Sequence, residues 1–91
     1  MNKKIVAQNC DVVIGVDVHA ESHVLAADVL DRIVDRYRMV GVRQDWQSYL
    51  ERFPGCTLTV IYESGPFGYN LGDMLKEMSA QTGQRLSLIH I

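Results

Sequence analysis

Between residues 11 and 40 the chain runs through three β-like stretches separated by short polar breaks. The first, DVVIGVDV over 11–18, is rich in β-branched residues and reads as a strand buried on both faces for part of its length. After His19-Ala20-Glu21-Ser22 the chain returns as HVLAADVL over 23–30. Asp31-Arg32 separates that run from a third, IVDRYRMV over 33–40. Three strand-like runs with connections this short predict a three-stranded antiparallel meander.

The period then changes. Trp46, Tyr49, Leu50 and Phe53 fall at i, i+3, i+4 and i+7, one face of an amphipathic helix over 42–53, and Pro54-Gly55 stops it. TLTVIY over 57–62 is a compact β-branched strand, ended by Glu63-Ser64-Gly65-Pro66. Pro66 suits a first helical turn, with Ser64 or Gly65 as its cap. Phe67, Leu71, Met74, Leu75 and Met78 supply the apolar stripe of that second helix, and Gly83 marks its exit. The fold class is therefore α/β: a three-stranded antiparallel meander, then helix, parallel strand, helix and a candidate last strand. No internal repeat, low-complexity segment or linker interrupts it.

Composition narrows the function classes. Ninety-one residues make one small domain or part of a larger one, and 47% hydrophobic with 22% charged residues argues against intrinsic disorder. No apolar run approaches the roughly 18 residues of a membrane span, and the basic start MNKKIVAQNC has no apolar signal region. Cys10 and Cys56 have no metal-ligand spacing and read as reduced, buried or semi-buried thiols of a cytoplasmic protein. The net charge of −2 argues against a self-sufficient nucleic-acid binder, although Arg32, Arg36, Arg38 and Arg43 fall close together. The arginines on the third strand read first as a solvated face.

Two acidic residues stand out. Asp17 sits near the end of the most hydrophobic strand, between Val16 and Val18, and Glu63 directly follows the other apolar strand. If those strands are parallel neighbours, both carboxylates emerge at the same carboxyl-terminal sheet edge, where open α/β sheets place ligands. Paired carboxylates repel unless a cation lies between them, and Mg2+ or Mn2+ is the hard, oxygen-preferring partner. On spacing alone the plainer reading is the stronger: Asp17 a hairpin-turn residue, Glu63 an acid favoured at a helix start. His19 and His23 are four apart, but a predicted turn separates them, so a zinc pair is disfavoured and His19 reads as a turn-flanking residue. Gly65-Pro66-Phe67-Gly68-Tyr69 offers a helix start that could receive a phosphate, and Tyr69 and Asn70 could approach nucleic acid, against a simpler reading as a packed helix start. Trp46 and Phe53 read as core rather than base-stacking residues.

The segments VIGVDVHAESHVLAADVL and VIYESGPFGYNLGDML, in that order and at that separation, resemble the two opening signatures of DEDD-type insertion-sequence transposases, the group guided by a structured bridge RNA. The resemblance spans about Val12 to Arg85. It implies that residues 1–85 are the amino-terminal part of a ribonuclease-H-like (RuvC-like) domain whose fourth strand lies beside the first. Asp17 and Glu63 would be the first two acids of the catalytic tetrad and ligands of Mg2+ or Mn2+. The family's last two aspartates follow the next strand and helix, and a serine-bearing domain comes later, so the fragment alone is expected to be inactive. The full-length parent would bind DNA and a structured guide RNA, act as a homo-oligomer, and catalyse DNA transposition and recombination by metal-dependent phosphodiester cleavage and strand exchange. It would be a cytoplasmic bacterial protein, nucleoid-associated when active, with no membrane partner.

Leu86-Ser87-Leu88-Ile89-His90-Ile91 admits two readings. It suits a fifth strand, and it also resembles the translation of a transposon-end sequencing adapter; the second is favoured, with the reading frame truncated there. Two other functions compete with the transposase. An actin-like ATPase or sugar kinase also opens with a strand, an Asp and a hairpin, but its phosphate-binding hairpin carries Gly with Ser or Thr, where this chain has His19-Ala20-Glu21. The third is a non-catalytic remnant that binds a partner through an exposed sheet edge.

Overall fold

The computed structural model describes residues 5–63 and 71–91. Its elements run β1 (Asp11–Val18), β2 (His23–Val29), β3 (Arg32–Met39), α1 (Arg43–Leu50), β4 (Thr57–Tyr62), α2 (Leu71–Thr82) and β5 (Arg85–His90). All five strands join one mixed sheet in the order β3-β2-β1-β4-β5. The sheet therefore extends beyond a three-strand meander: β1, β2 and β3 are antiparallel, while β4 pairs parallel to β1 and β5 parallel to β4.

Period-2 alternation decides what each strand buries. Val12, Ile14 and Val16 of β1 face inward with Leu25 and Ala27 of β2 and Leu58, Val60 and Tyr62 of β4. Those positions form one core with Trp46, Tyr49 and Leu50 of α1 and Leu71, Leu75 and Met78 of α2. Both helices thus pack on the same face, as two right-handed crossovers progressing in one direction along a sheet require. Arg43 of α1 reaches across to Glu77 at 3.0 Å and also bonds Gln81, tying the two helices together at their exposed rim. The expected burial of β1 on both faces does not occur, because no layer of the described residues covers its odd positions: Val13 is 40% exposed.

Several boundaries differ from the sequence reading: β3 is one residue earlier than the expected 33–40, and α1 starts at Arg43 rather than at residue 42. The second strand stops at Val29 rather than Leu30, because Leu30 and Asp31 take φ of 52° and 62°, the two left-handed residues of a tight hairpin turn. Helix α1 ends at Leu50 rather than Phe53. Its last turn tightens, with Arg52 N–H donating to Tyr49 O at 3.0 Å and Phe53 N–H to Leu50 O at 3.2 Å. Phe53 is nonetheless fully buried. Gly55, at φ 71°, then lets the chain turn hard against Asn9, whose amide oxygen a Cβ at this position would strike. The expected start of the second helix near Pro66 lies outside the described residues. Its end is at the expected glycine: Gly83 has φ 73° and donates to Ser79 O at 2.9 Å, a left-handed helix exit.

Residues Arg85 to His90 pair in register with β4, from Thr57↔Arg85 to Tyr62↔His90. The alternation of this segment half-buries Leu86 and Leu88 beneath α2 and leaves Ser87 and Ile89 outward. No helix among the described residues is long and apolar enough to cross a membrane.

Candidate functional site at the carboxyl edge of β1 and β4

The geometry of the site follows from one register. β1 and β4 run parallel with Gly15 opposite Ile61 and Val16 opposite Tyr62. Asp17 follows Val16 on β1 and Glu63 follows Tyr62, the last residue of β4, so adjacent strands deliver both carboxylates at one edge. The spacing of neighbouring strands, about 4.8 Å, sets the scale of their separation. Tyr62 points into the core, and Glu63 comes after it on the exposed side. Both acids, with Gly15, Val24, Ala26 and Ile61, line a shallow groove of about 450 Å³ on the face that the helices leave open. Gly15 sits in its floor, where nothing lies within 4 Å of the position a Cβ would take.

Asp17 is well exposed, and its Oδ2 lies 3.1 Å from Nε2 of His19. His19 is held by the turn between β1 and β2, which its own N–H closes by donating to Ser22 O at 2.9 Å. His23, four residues on, makes no hydrogen bond to this pair. It faces the opposite, helix-covered side, only 8% exposed, and its Nδ1 accepts a hydrogen bond from the Trp46 indole N–H at 3.0 Å. A ring nitrogen that accepts is unprotonated, and burial, aided by the nearby charge of His19, lowers the His23 pKa below its ordinary value. The two histidines therefore diverge. Among the described residues no group of three or more His, Cys, Asp or Glu side chains is placed to hold a metal ion.

No protein-family model matches this chain, and no curated protein matches it significantly.

The remaining expectations resolve by face. Trp46 and Phe53 are fully buried and belong to the core, where the Tyr49 ring packs edge-on against both. Burial and the Asp35 carboxylate push the Tyr49 phenol pKa up. The guanidinium of Arg52 lies 4.4 Å from the centre of the Tyr37 ring. Arg36 and Arg38 are opposite Ala26 and Val24 on the open face, one strand beyond β2 from Asp17. Residues 65–70, considered as a phosphate-receiving helix start, lie outside the described residues.

A larger cavity, about 570 Å³, opens at the other end of the sheet among Leu50, Pro54, Cys56, Gly83 and Arg85. It contains neither of the paired carboxylates. The smaller groove is the better chemical candidate because two adjacent strands converge two like charges on it. Sequence reasoning missed what surrounds the two cysteines: Cys10 and Cys56 lie at the amino ends of β1 and β4, with Sγ atoms 3.9 Å apart.

Proposed function

We propose that this chain is the amino-terminal part of a ribonuclease-H-like (RuvC-like) nuclease domain of a DEDD-type insertion-sequence transposase. Asp17 and Glu63 are its first two metal-binding carboxylates. The observation that carries this reading is the parallel pairing of β1 with β4, which brings the acid after Val16 beside the acid after Tyr62. The motif resemblance around those same residues supports it, as does a sheet that sets a helix-linked parallel strand beside the first strand of a hairpin.

The donor set fits a divalent ion in part. Two exposed carboxylates on one groove offer hard oxygen ligands of the kind Mg2+ and Mn2+ take. Two protein oxygens leave most of an octahedral shell to water, substrate or further acids. An ion held by Asp17 and Glu63 would supply activation of the attacking oxygen and stabilisation of the leaving one in in-line phosphodiester displacement. The chain's own contribution is placement: the strands fix the carboxylates, His19 restrains the Asp17 side chain, and Gly15 keeps the groove floor open. The full-length parent would supply the remaining acids, grip DNA and a structured guide RNA, and assemble as a homo-oligomer. This reading makes DNA transposition the parent's activity and leaves these 91 residues inactive alone.

The β1–β2 turn favours this reading over an actin-like ATPase. It presents Glu21, exposed, and has no glycine to bring backbone amides against a phosphate. The test is thermal unfolding of the chain in a Mn2+ series. A ligand that binds only the folded state raises the melting temperature. The expected result is a rise in the wild type that the Asp17→Asn, Glu63→Gln double variant lacks. Equal behaviour of the two proteins would refute the assignment.

A further inference from the structure

We infer that Cys10 and Cys56 are a disulfide modification site that clamps β1 to β4 at the end of the sheet opposite the carboxylates. The two are neighbours across the sheet: Asp11 pairs with Thr57, and Thr57 N–H donates to Cys10 O at 3.1 Å. Parallel strands about 4.8 Å apart put facing Cα atoms within the roughly 4.4–6.8 Å that a disulfide spans. Both thiols turn to the same, helix-covered side, and their sulfurs are already 3.9 Å apart, so closing the bond asks only for side-chain rotation. Both are free thiols in this structure.

Access is unequal and sets the order of events. Cys10 is half-buried, whereas Cys56 is 3% exposed and lies against the cavity at this end of the sheet. With a small-molecule disulfide such as oxidised glutathione as the oxidant, the Cys10 thiolate attacks one of its sulfurs. That S–S bond breaks, and one small thiolate leaves and takes up a proton. The Cys56 thiolate then attacks the Cys10 sulfur of the mixed disulfide, forming the Cys10–Cys56 bond and releasing the second small thiol. The protein loses two electrons and two protons, and the oxidant becomes two thiols. Partial burial and the neighbouring Cys56 push the Cys10 thiol pKa up, so exchange is expected to quicken as the pH rises toward 9.

The test uses the whole chain in glutathione buffers of stepped ratio, with acid quench, thiol counting and intact mass. The two thiols should disappear together without retained glutathione, and reductant should restore both. The cysteines are 46 residues apart in sequence, so the fold supplies their proximity. The equilibrium constant for closure should be roughly thirtyfold or more larger in native buffer than in concentrated urea, the linkage counterpart of a typical disulfide's stabilisation. Cys56→Ser, without the resolving thiol, should keep one glutathione on Cys10, whereas Cys10→Ser should keep the buried Cys56 as a free thiol. Persistent glutathione adducts on the wild type, two thiols surviving in strongly oxidising buffer, or closure no more favourable in native buffer than in urea would each overturn the proposal.

Discussion

The two faces of this sheet are built from the same strands yet live in different solvents. On β1, Val12, Ile14 and Val16 meet α1 and α2 and are almost wholly buried, while Val13, Gly15 and Asp17, interleaved with them, lie on the other face, where Gly15 and Asp17 line the groove. On β2, His23 is sealed against Trp46, and its neighbour Val24 is 39% exposed. One residue's step along a strand thus exchanges a packing role for a chemical one. The covered face holds the chain folded, and the open face is free to carry charge. A carboxylate one position earlier, at Val16, would be desolvated beneath the helices. At Asp17 it stays hydrated and available to a ligand.

The sharpest way to break this contrast is to empty the covered face. Trp46→Ala removes a fully buried indole and its hydrogen bond to His23, at an expected cost of about 3–5 kcal/mol. Small domains have roughly 5–15 kcal/mol in total, so urea unfolding should find the variant barely folded. Gly41→Ala comes next, with an expected loss of about 1–3 kcal/mol. It forces a side chain onto a residue at φ 94° and sets its Cβ 2.7 Å from the His23 ring.

Acidification probes the same pocket more gently. His23 has its folded pKa lowered, so the unfolded chain takes up the proton first. The contribution is complete above the unfolded value of 6.5 and is lost as the pH falls through the folded pKa. The slope is at most about 1.4 kcal/mol per pH unit for one proton. Melting curves of the wild type minus those of His23→Gln should show this fall below pH 6.5 and nothing above it. The smallest effect belongs to the open face, where Val13→Thr should change stability by about 0.5 kcal/mol or less in the same urea assay.

Much of this division was legible in the chain. The β-branched runs DVVIGVDV and TLTVIY mark two strands, though not which face of the first is covered, and the spacing of Trp46, Tyr49, Leu50 and Phe53 marks a helix and its buried face. Asp17 and Glu63 were visible as acids at the ends of apolar runs. The role of His23 was also within reach, since it falls two and four residues before Leu25 and Ala27, at the head of the inward set. A break was legible at Asp31-Arg32, but not that the turn is Leu30-Asp31, because that pair lacks the Asn-Gly or Asp-Gly that advertises two left-handed residues. Nor was the meeting of Cys10 with Cys56, which depends on the register of a parallel pair joined by a long crossover, something no local pattern specifies.

The most direct test of the central claim is to map Mn2+ on the folded chain by NMR, since the paramagnetic ion broadens the signals of amides nearest to it. The account predicts broadening centred on Asp17, Val18 and Glu63, competed by Mg2+ and lost in the Asp17→Asn, Glu63→Gln variant. It predicts no broadening on the helix-covered side around His23 and Trp46. Broadening that ignores this edge, or that survives in the double variant, would contradict the assignment of these carboxylates as metal ligands.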